Sequence, residues 1–213
     1  MSSNEKYNAL IALCEDLFVT NGVNGVTMDD IAGSAGISKK TLYTYFSNKE
    51  DIVVKVIEGI IERLKCQLFF YKSQAENPVH EIILLNGMIW QFAYFKTLLD
   101  PMSLRLYSSA ANLFGNFKEQ FLVHHLEENL KKGIIAGLYR IEIDIQNTAL
   151  IYVTWITEGF HNRHFSLNAT LEGNDIFTNG IVNNSTRPLI ANYQIGYDEK
   201  RIDLATLKAY RQR

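Results

Sequence analysis

Between Asn21 and Glu50 the chain stops and restarts helices within a few residues of each other, a pattern that admits only short helices meeting at tight corners. Asn21-Gly22 closes a first amphipathic run in which Tyr7, Leu10, Ile11, Cys14, Leu17 and Phe18 recur at i, i+3, i+4 spacing. Thr27 opens a second helix at "TMDD", with Asp30 placed to reach back to the cap. Its inward face is Met28, Ile31, Ala32 and Ala35, and Gly36 breaks it after about two turns. Ser38 caps a third short helix that turns Leu42 and Phe46 inward, with Tyr43 or Tyr45 near the margin. "SNKE" then supplies a capping box, Ser47 with Glu50, for a much longer helix.

That fourth helix carries Ile52, Val53, Val56, Ile57, Ile60, Ile61 and Leu64 on one stripe. Continued to about Ser73 it spans roughly 40 Å, too long to serve the first helices alone, so it reads as a rod into a second region. Asn77-Pro78 and Asp100-Pro101 mark later boundaries, because a residue before proline disfavours helix. Apolar helical segments follow at 79–98, 101–112, 115–136, 144–168 and 173–187. "IEIDI" at 141–145 alternates like a strand but is short. The expected fold class is all-α: a three-helix unit, a long helix and a C-terminal helical bundle, with about nine helices in total. The expected division is 1–50, 51–191 and a polar tail at 192–213. Leu204, Leu207 and Tyr210 give that tail a weak amphipathic pattern, compatible with an extra short helix or a loose terminus.

With 213 residues, 47% of them hydrophobic, the chain has enough apolar surface for a substantial core. A net charge of −2 gives no general attraction to polyanions, so any nucleic-acid contact must be local. No apolar run is long enough to cross a membrane, the N-terminus lacks the pattern of a secretory signal, and the expected location is cytoplasmic. Cys14 and Cys66 sit at apolar helical positions with no CxxC partner and read as reduced core residues.

Two short helices joined at Gly36 and steadied by a preceding helix make a helix-turn-helix, whose second helix is set to enter a major groove. Its outward residues are Ser38, Lys39, Lys40, Thr41, Thr44 and one or both tyrosines. Lysines reach guanine edges or phosphates, and hydroxyls bond phosphate oxygens. The helix starts at Thr27 and Lys49 add free backbone N–H groups suited to phosphate. On spacing alone, an ordinary helical hairpin with solvated lysines reads equally well.

"TMDDIAGSAGISKKTLYTYFSNKEDIV" closely resembles the signature of the TetR family of bacterial transcriptional regulators. The match includes the threonine opening the second helix, "IA" within it, the Ala-Gly turn, and "TLYxYFxxKE" across the third and fourth helices. It covers about the first sixty residues; the rest resembles the family only in size and helix count. The resemblance implies phosphate contacts from Thr27, Thr41, Tyr45 and Lys49, and base reading or approach by Lys39, Lys40 and Tyr43. Asp29 departs from the pattern, standing where some relatives carry a basic base-reading residue. Residues 1–60 are net acidic, so one copy should bind DNA weakly and two copies should roughly double the contacts.

The segment "TALIYVTWITEGFHNRHF" is apolar on more than one side, as a helix with two packing partners must be. The resemblance implies that the last two helices pair across a two-fold axis, giving Tyr152, Val153, Ile156, Phe160, Ile176 and Ile181 as candidate interface residues. Trp90, Tyr94, Tyr107, Phe117, Trp155, Glu158 and His161 are candidates for a pocket taking an apolar or aromatic ligand. The competing reading is that these aromatics simply fill a helical core. No metal site is expected: His161 and His164 lack a further ligand at clear spacing. No phosphate loop, GxSxG or HExxH occurs, so neither an enzyme nor a cofactor is expected.

The resulting expectation is a homodimeric repressor that binds double-stranded operator DNA and leaves it when a small hydrophobic or aromatic effector fills the bundle. The alternative keeps the fold and makes the bundle a protein-docking module without a natural small ligand.

Overall fold

The computed structural model describes residues 3–159 and 167–198, and among them every extended element is helical. The helices are α1 (Ser3–Asn21), α2 (Met28–Ser34), α3 (Lys39–Tyr45), α4 (Lys49–Gln74), α5 (Pro78–Asn86), α6 (Ile89–Phe95), α7 (Pro101–Leu104), α8 (Ser108–Asn116), α9 (Val123–Ile135), α10 (Ile145–Glu158), α11 (Leu167–Ile181) and α12 (Arg187–Asp198). A π-helical turn, Phe117–Leu122, joins α8 to α9 without a break. The segments expected at 79–98 and 101–112 are each divided in two, which raises the helix count above the expected nine or so.

Caps explain most boundaries. Thr27 and Asp30 form the reciprocal box expected at α2: the Thr27 oxygen accepts from Asp30 N at 3.2 Å, and Asp30 accepts from Thr27 N at 2.8 Å. Ser38 accepts from Thr41 N at 3.0 Å. Asn77 accepts from the backbone N–H groups of Val79 and His80, and Asp100 from that of Ser103, each just ahead of a proline at the first helical position. The box expected from Ser47 and Glu50 is shifted by one residue. Asn48 accepts from Asp51 N at 2.9 Å, and Asp51 accepts from Ser47 N at 3.1 Å. Glu50 is thereby released to accept from Ser109 N at 3.3 Å.

One apolar core runs the length of the molecule. At one end Leu10, Cys14 and Phe18 of α1 meet Ile31, Leu42, Phe46 and the first turns of α4. The α4 stripe continues through Ile60, Leu64, Leu68 and Tyr71 into the second region, so a single helix is buried in both. Each such aliphatic side chain contributes about 1.5–3 kcal/mol by leaving water. Arg63 on α4 also donates to the buried Glu15 of α1 at 2.6 Å. Cys14 is in the core, where burial pushes its thiol up to about 12; Cys66, expected in the core, is exposed.

The second region is stapled by a buried polar cluster. Glu81 of α5 meets His125 Nε2 at 2.8 Å and accepts from Asn129 at 2.8 Å, and Tyr139 donates to Asn129 at 2.9 Å. Burial alone would raise the Glu81 carboxyl, but the His125 and Asn129 bonds, with His125 and Lys72 charge nearby, hold it below the ordinary glutamate range. Residues 173–187 do not form one helix. α11 ends at Ile181, Val182 makes an antiparallel bridge to Tyr139, and a new helix starts at Arg187. The strand-like "IEIDI" forms no strand; Asp144 within it caps α10 by accepting from Asn147 N at 2.8 Å. α12 packs on α5, with the Tyr193 and His80 rings stacked at 4.2 Å. Leu204, Leu207 and Tyr210 lie outside the described residues.

Candidate functional site

The corner between α2 and α3 is built on Gly36, whose φ of +65° places it in the left-handed region that favours glycine. The turn closes through Gly36 N to Gly33 O at 3.1 Å and Ile37 N to Ala32 O at 3.0 Å. Leu42 and Phe46 anchor α3 inward, which leaves Lys39, Lys40, Thr41, Tyr43 and Thr44 facing solvent on one surface. Tyr45 is half-buried, 6.4 Å from both the Tyr7 and Phe46 rings, so its position is set by packing.

The hydroxyls have two jobs. Thr27 and Ser38 cap their helices, Ser38 and Thr41 share a 2.8 Å hydrogen bond, and Thr44 donates to Thr41 O at 2.6 Å. The two lysines differ. Lys39 is clamped by Asp29 of α2 at 2.9 Å, which lifts its ammonium above the ordinary lysine range. Lys40 forms no ion pair among the described residues and projects from the same exposed face. Asp29 thus acts on α3 as a tether. Lys49 is half-buried, its ammonium over the Tyr107 ring at 5.5 Å.

Among the described residues the aromatic pocket candidates make separate contacts. Phe117 is buried core, stacked on Phe121 at 5.8 Å. Tyr94 packs edge-on against Phe95 at 4.9 Å. Trp155 lies against α11 so closely that a Cβ on Gly173 would fall 2.1 Å from its ring. Tyr107 faces α4, Trp90 is half-buried, and His161 lies outside the described residues. Glu158 alone among them lines a partly open cleft of about 140 Å³ between α7, α8, the π turn and α10. Two residues of this cleft, Arg105 and Lys118, were not singled out in the sequence. Nothing in their spacing announces them, because Lys118 meets Glu158 only in the folded chain, at 2.5 Å.

The interface candidates divide by burial. Tyr152, Val153, Ile156 and Ile181 are buried within the chain itself, in its own hydrophobic core. Tyr152 further donates to Asn86 at 2.7 Å and packs on Phe177 at 4.5 Å. The outward stripe of α10 is instead Leu150 and Ile151, 49% and 64% exposed, and on α11 it is Ile176, 66% exposed. Phe160 lies outside the described residues. No group of three metal-ligating side chains and no helix long and apolar enough to cross a membrane occurs among the described residues.

Comparison with known proteins accords with this architecture. A family model described as bacterial regulatory proteins of the tetR family matches residues 10–56. The HTH-type transcriptional regulator EthR of Mycobacterium tuberculosis is 30% identical over 77 residues, 36% of this chain; the match spans only 34%, about a third, of EthR. The HTH-type transcriptional repressor KstR2 of Mycobacterium tuberculosis is 28% identical over 172 residues, covering 73% of this chain and 84% of KstR2. Among solved structures, a regulator from Saccharomonospora viridis in complex with choline has a TM-score of 0.71 at 16% identity, covering 85% of this chain and all of that one, a likeness of fold. The helix-turn-helix region, residues 10–56, thus matches the tetR family of bacterial regulatory proteins, and the all-helical second region shares its fold with solved structures of regulators.

Proposed function

We propose that the chain is a DNA-binding transcriptional regulator that acts as a homodimeric repressor and releases its operator when a small ligand occupies the second region. The observation that carries this is the solvent face of α3, where Lys40, Thr41, Tyr43 and Thr44 stand on a helix pinned from behind by Leu42 and Phe46. A short, rigid, outward helix after a tight corner is what major-groove reading requires. In this reading residues 1–50 bind DNA, and Lys40 and Tyr43 approach bases. Thr27, Ser38, Thr41, Thr44, Tyr45 and Lys49 position the helix on phosphates, with Lys39 partly withheld by Asp29. Residues 51–191 pair the protomers and hold the effector.

The described cleft narrows the effector. Its volume of about 140 Å³ lies below the 300–1,000 Å³ of ordinary drug-sized sites, so it suits a small ligand better than a bulky aromatic one. That modest volume, with most of the aromatics packed as core, is also what favours the protein-docking alternative. The test is selection of bound duplexes from a random pool, followed by titration of the selected site at several salt concentrations. A two-fold-symmetric site with a steep salt dependence is the expected result. Failure to enrich any sequence, with only weak non-specific binding, would overturn the reading.

A further inference from the structure

We propose that the cleft at Lys118 binds a short-chain carboxylate, its tail against Leu99, Leu104 and Phe114 and its anionic head between Lys118 and Arg105. The inference deepens the effector reading and takes its regulatory meaning from it.

Charge selects the head group. Lys118 and Glu158 neutralise each other at 2.5 Å, and Arg105, which has no ion pair among the described residues, adds one unmatched positive charge at the cleft. A cation is disfavoured because its natural seat is taken: Lys118 Nζ already lies 5.6 Å from the Phe114 centroid, over the ring, and holds Glu158. An incoming carboxylate takes the Glu158 place at Lys118, and Glu158, with a side chain 43% exposed, turns to solvent at little cost. Arg105 on the exposed rim supplies planar N–H donors matched to a carboxylate.

Volume selects the tail. An apolar cavity of about 150 Å³ holds benzene, so a cleft of this size takes about six non-hydrogen atoms. That corresponds to an acid of about four to six carbons, with any longer chain left in water. Gly115 borders the tail region, and a Cβ there meets nothing within 4 Å. The space beside α8 is therefore open at the point where a side chain on residue 115 would enter the cleft.

The experiment is calorimetric titration of the full chain, without DNA, using hexanoate, hexanol and choline as probes. Hexanoate should bind, hexanol and choline should not. Lys118→Met should weaken hexanoate about tenfold or more, as loss of one charged hydrogen bond implies. Gly115→Leu should abolish binding while melting at or above the wild-type temperature, since it removes a helix glycine. Glu158→Gln should tighten binding, because it removes the group that competes for Lys118; a merely structural Glu158 would not give that sign. No binding of hexanoate, equal binding of hexanol, preference for choline, or indifference to Gly115→Leu each overturns the assignment. Hexanoate that binds yet leaves operator affinity unchanged supports the cleft and removes the effector reading. Release by another compound, unaffected by Gly115→Leu, overturns the cleft and keeps the effector reading.

Discussion

The Lys49 ammonium stands 5.5 Å from the centroid of the Tyr107 ring, so the first residue of α4 is held by the loop between α7 and α8. One residue on, Glu50 accepts from Ser109 N at 3.3 Å. The segment that grips the start of α4 continues into the wall of the cleft through Ala111, Phe114 and Gly115. In the proposed DNA-binding reading Lys49 therefore has two competing partners, the aromatic ring in its own chain and a phosphate on DNA. An exposed cation–π contact contributes about 0.5–1 kcal/mol. Tyr107→Leu should accordingly tighten operator binding by about two- to fivefold. The gain should vanish in a Lys49→Met background. An equal gain in both backgrounds, measured by fluorescence anisotropy at fixed salt, would show that Tyr107 acts through some other contact.

In the proposed DNA-binding reading, the unequal setting of Lys39 and Lys40 predicts unequal mutants. Lys40→Ala should cost about 1–3 kcal/mol of operator affinity and relax discrimination at one position in each half-site. Lys39→Ala should cost less, because Asp29 already occupies that ammonium. Asp29→Asn should free Lys39, raise affinity for all sequences and steepen the salt dependence by about one phosphate contact per protomer. Tyr45→Phe should weaken every sequence alike. Binding to a panel of single-base operator variants separates these outcomes, and identical losses for Lys39→Ala and Lys40→Ala would refute the tether.

Burial on α10 and α11 sets the expectation for assembly. Ile151→Glu and Ile176→Glu place charge on exposed apolar sites, so each should leave the protomer folded. If those faces pair across a two-fold axis, each should yield monomers in sedimentation and lose operator binding. Val153→Glu puts an unpaired charge into the protomer core and should instead lower stability by several kcal/mol. Stable dimers from both isoleucine variants would rule the surface out.

The buried Glu81 cluster predicts an acid limb in stability. The folded Glu81 carboxyl sits below its ordinary value of 4.5, so the folded state holds its proton less tightly than the unfolded chain does. Its contribution is thus present above that ordinary value and is lost as pH falls through the depressed folded value. Glu81→Gln leaves His125 or Asn129 imperfectly bonded and should cost about 1.5–3 kcal/mol at neutral pH. Urea melts of wild type and variant should converge as pH falls below the ordinary glutamate range. A gap that stays constant with pH would place the effect in packing.

The helix-turn-helix was legible in the chain because its determinants are local. Thr27 with Asp30, Ser38 before α3, Gly36 in the left-handed region, and prolines after Asn77 and Asp100 each act within about four residues. The stripe on α4 was likewise readable, because helical periodicity reports one buried face directly. Competition between neighbouring caps was less so: Ser47 and Asn48 offer similar oxygens, and the choice of Asn48 accompanies Glu50 turning away to Ser109, far along the chain.

The outward face of α10 could not be read from its sequence at all. Tyr152, Val153 and Ile156 are as apolar as Leu150 and Ile151, and periodicity in a helix apolar all round carries no phase. Only packing against α9 and α6, with Tyr152 held by Asn86, decides which stripe stays in water. The same holds for the Asp29–Lys39 tether, the Lys49–Tyr107 contact and the Lys118–Glu158 pair. Local caps and periods settle where helices begin, end and turn a face inward. The contacts that hold Lys39 and Lys49 within their own chain or shape a charged cleft join side chains brought together by the crossing of helices, and those crossings exist only once the core is packed.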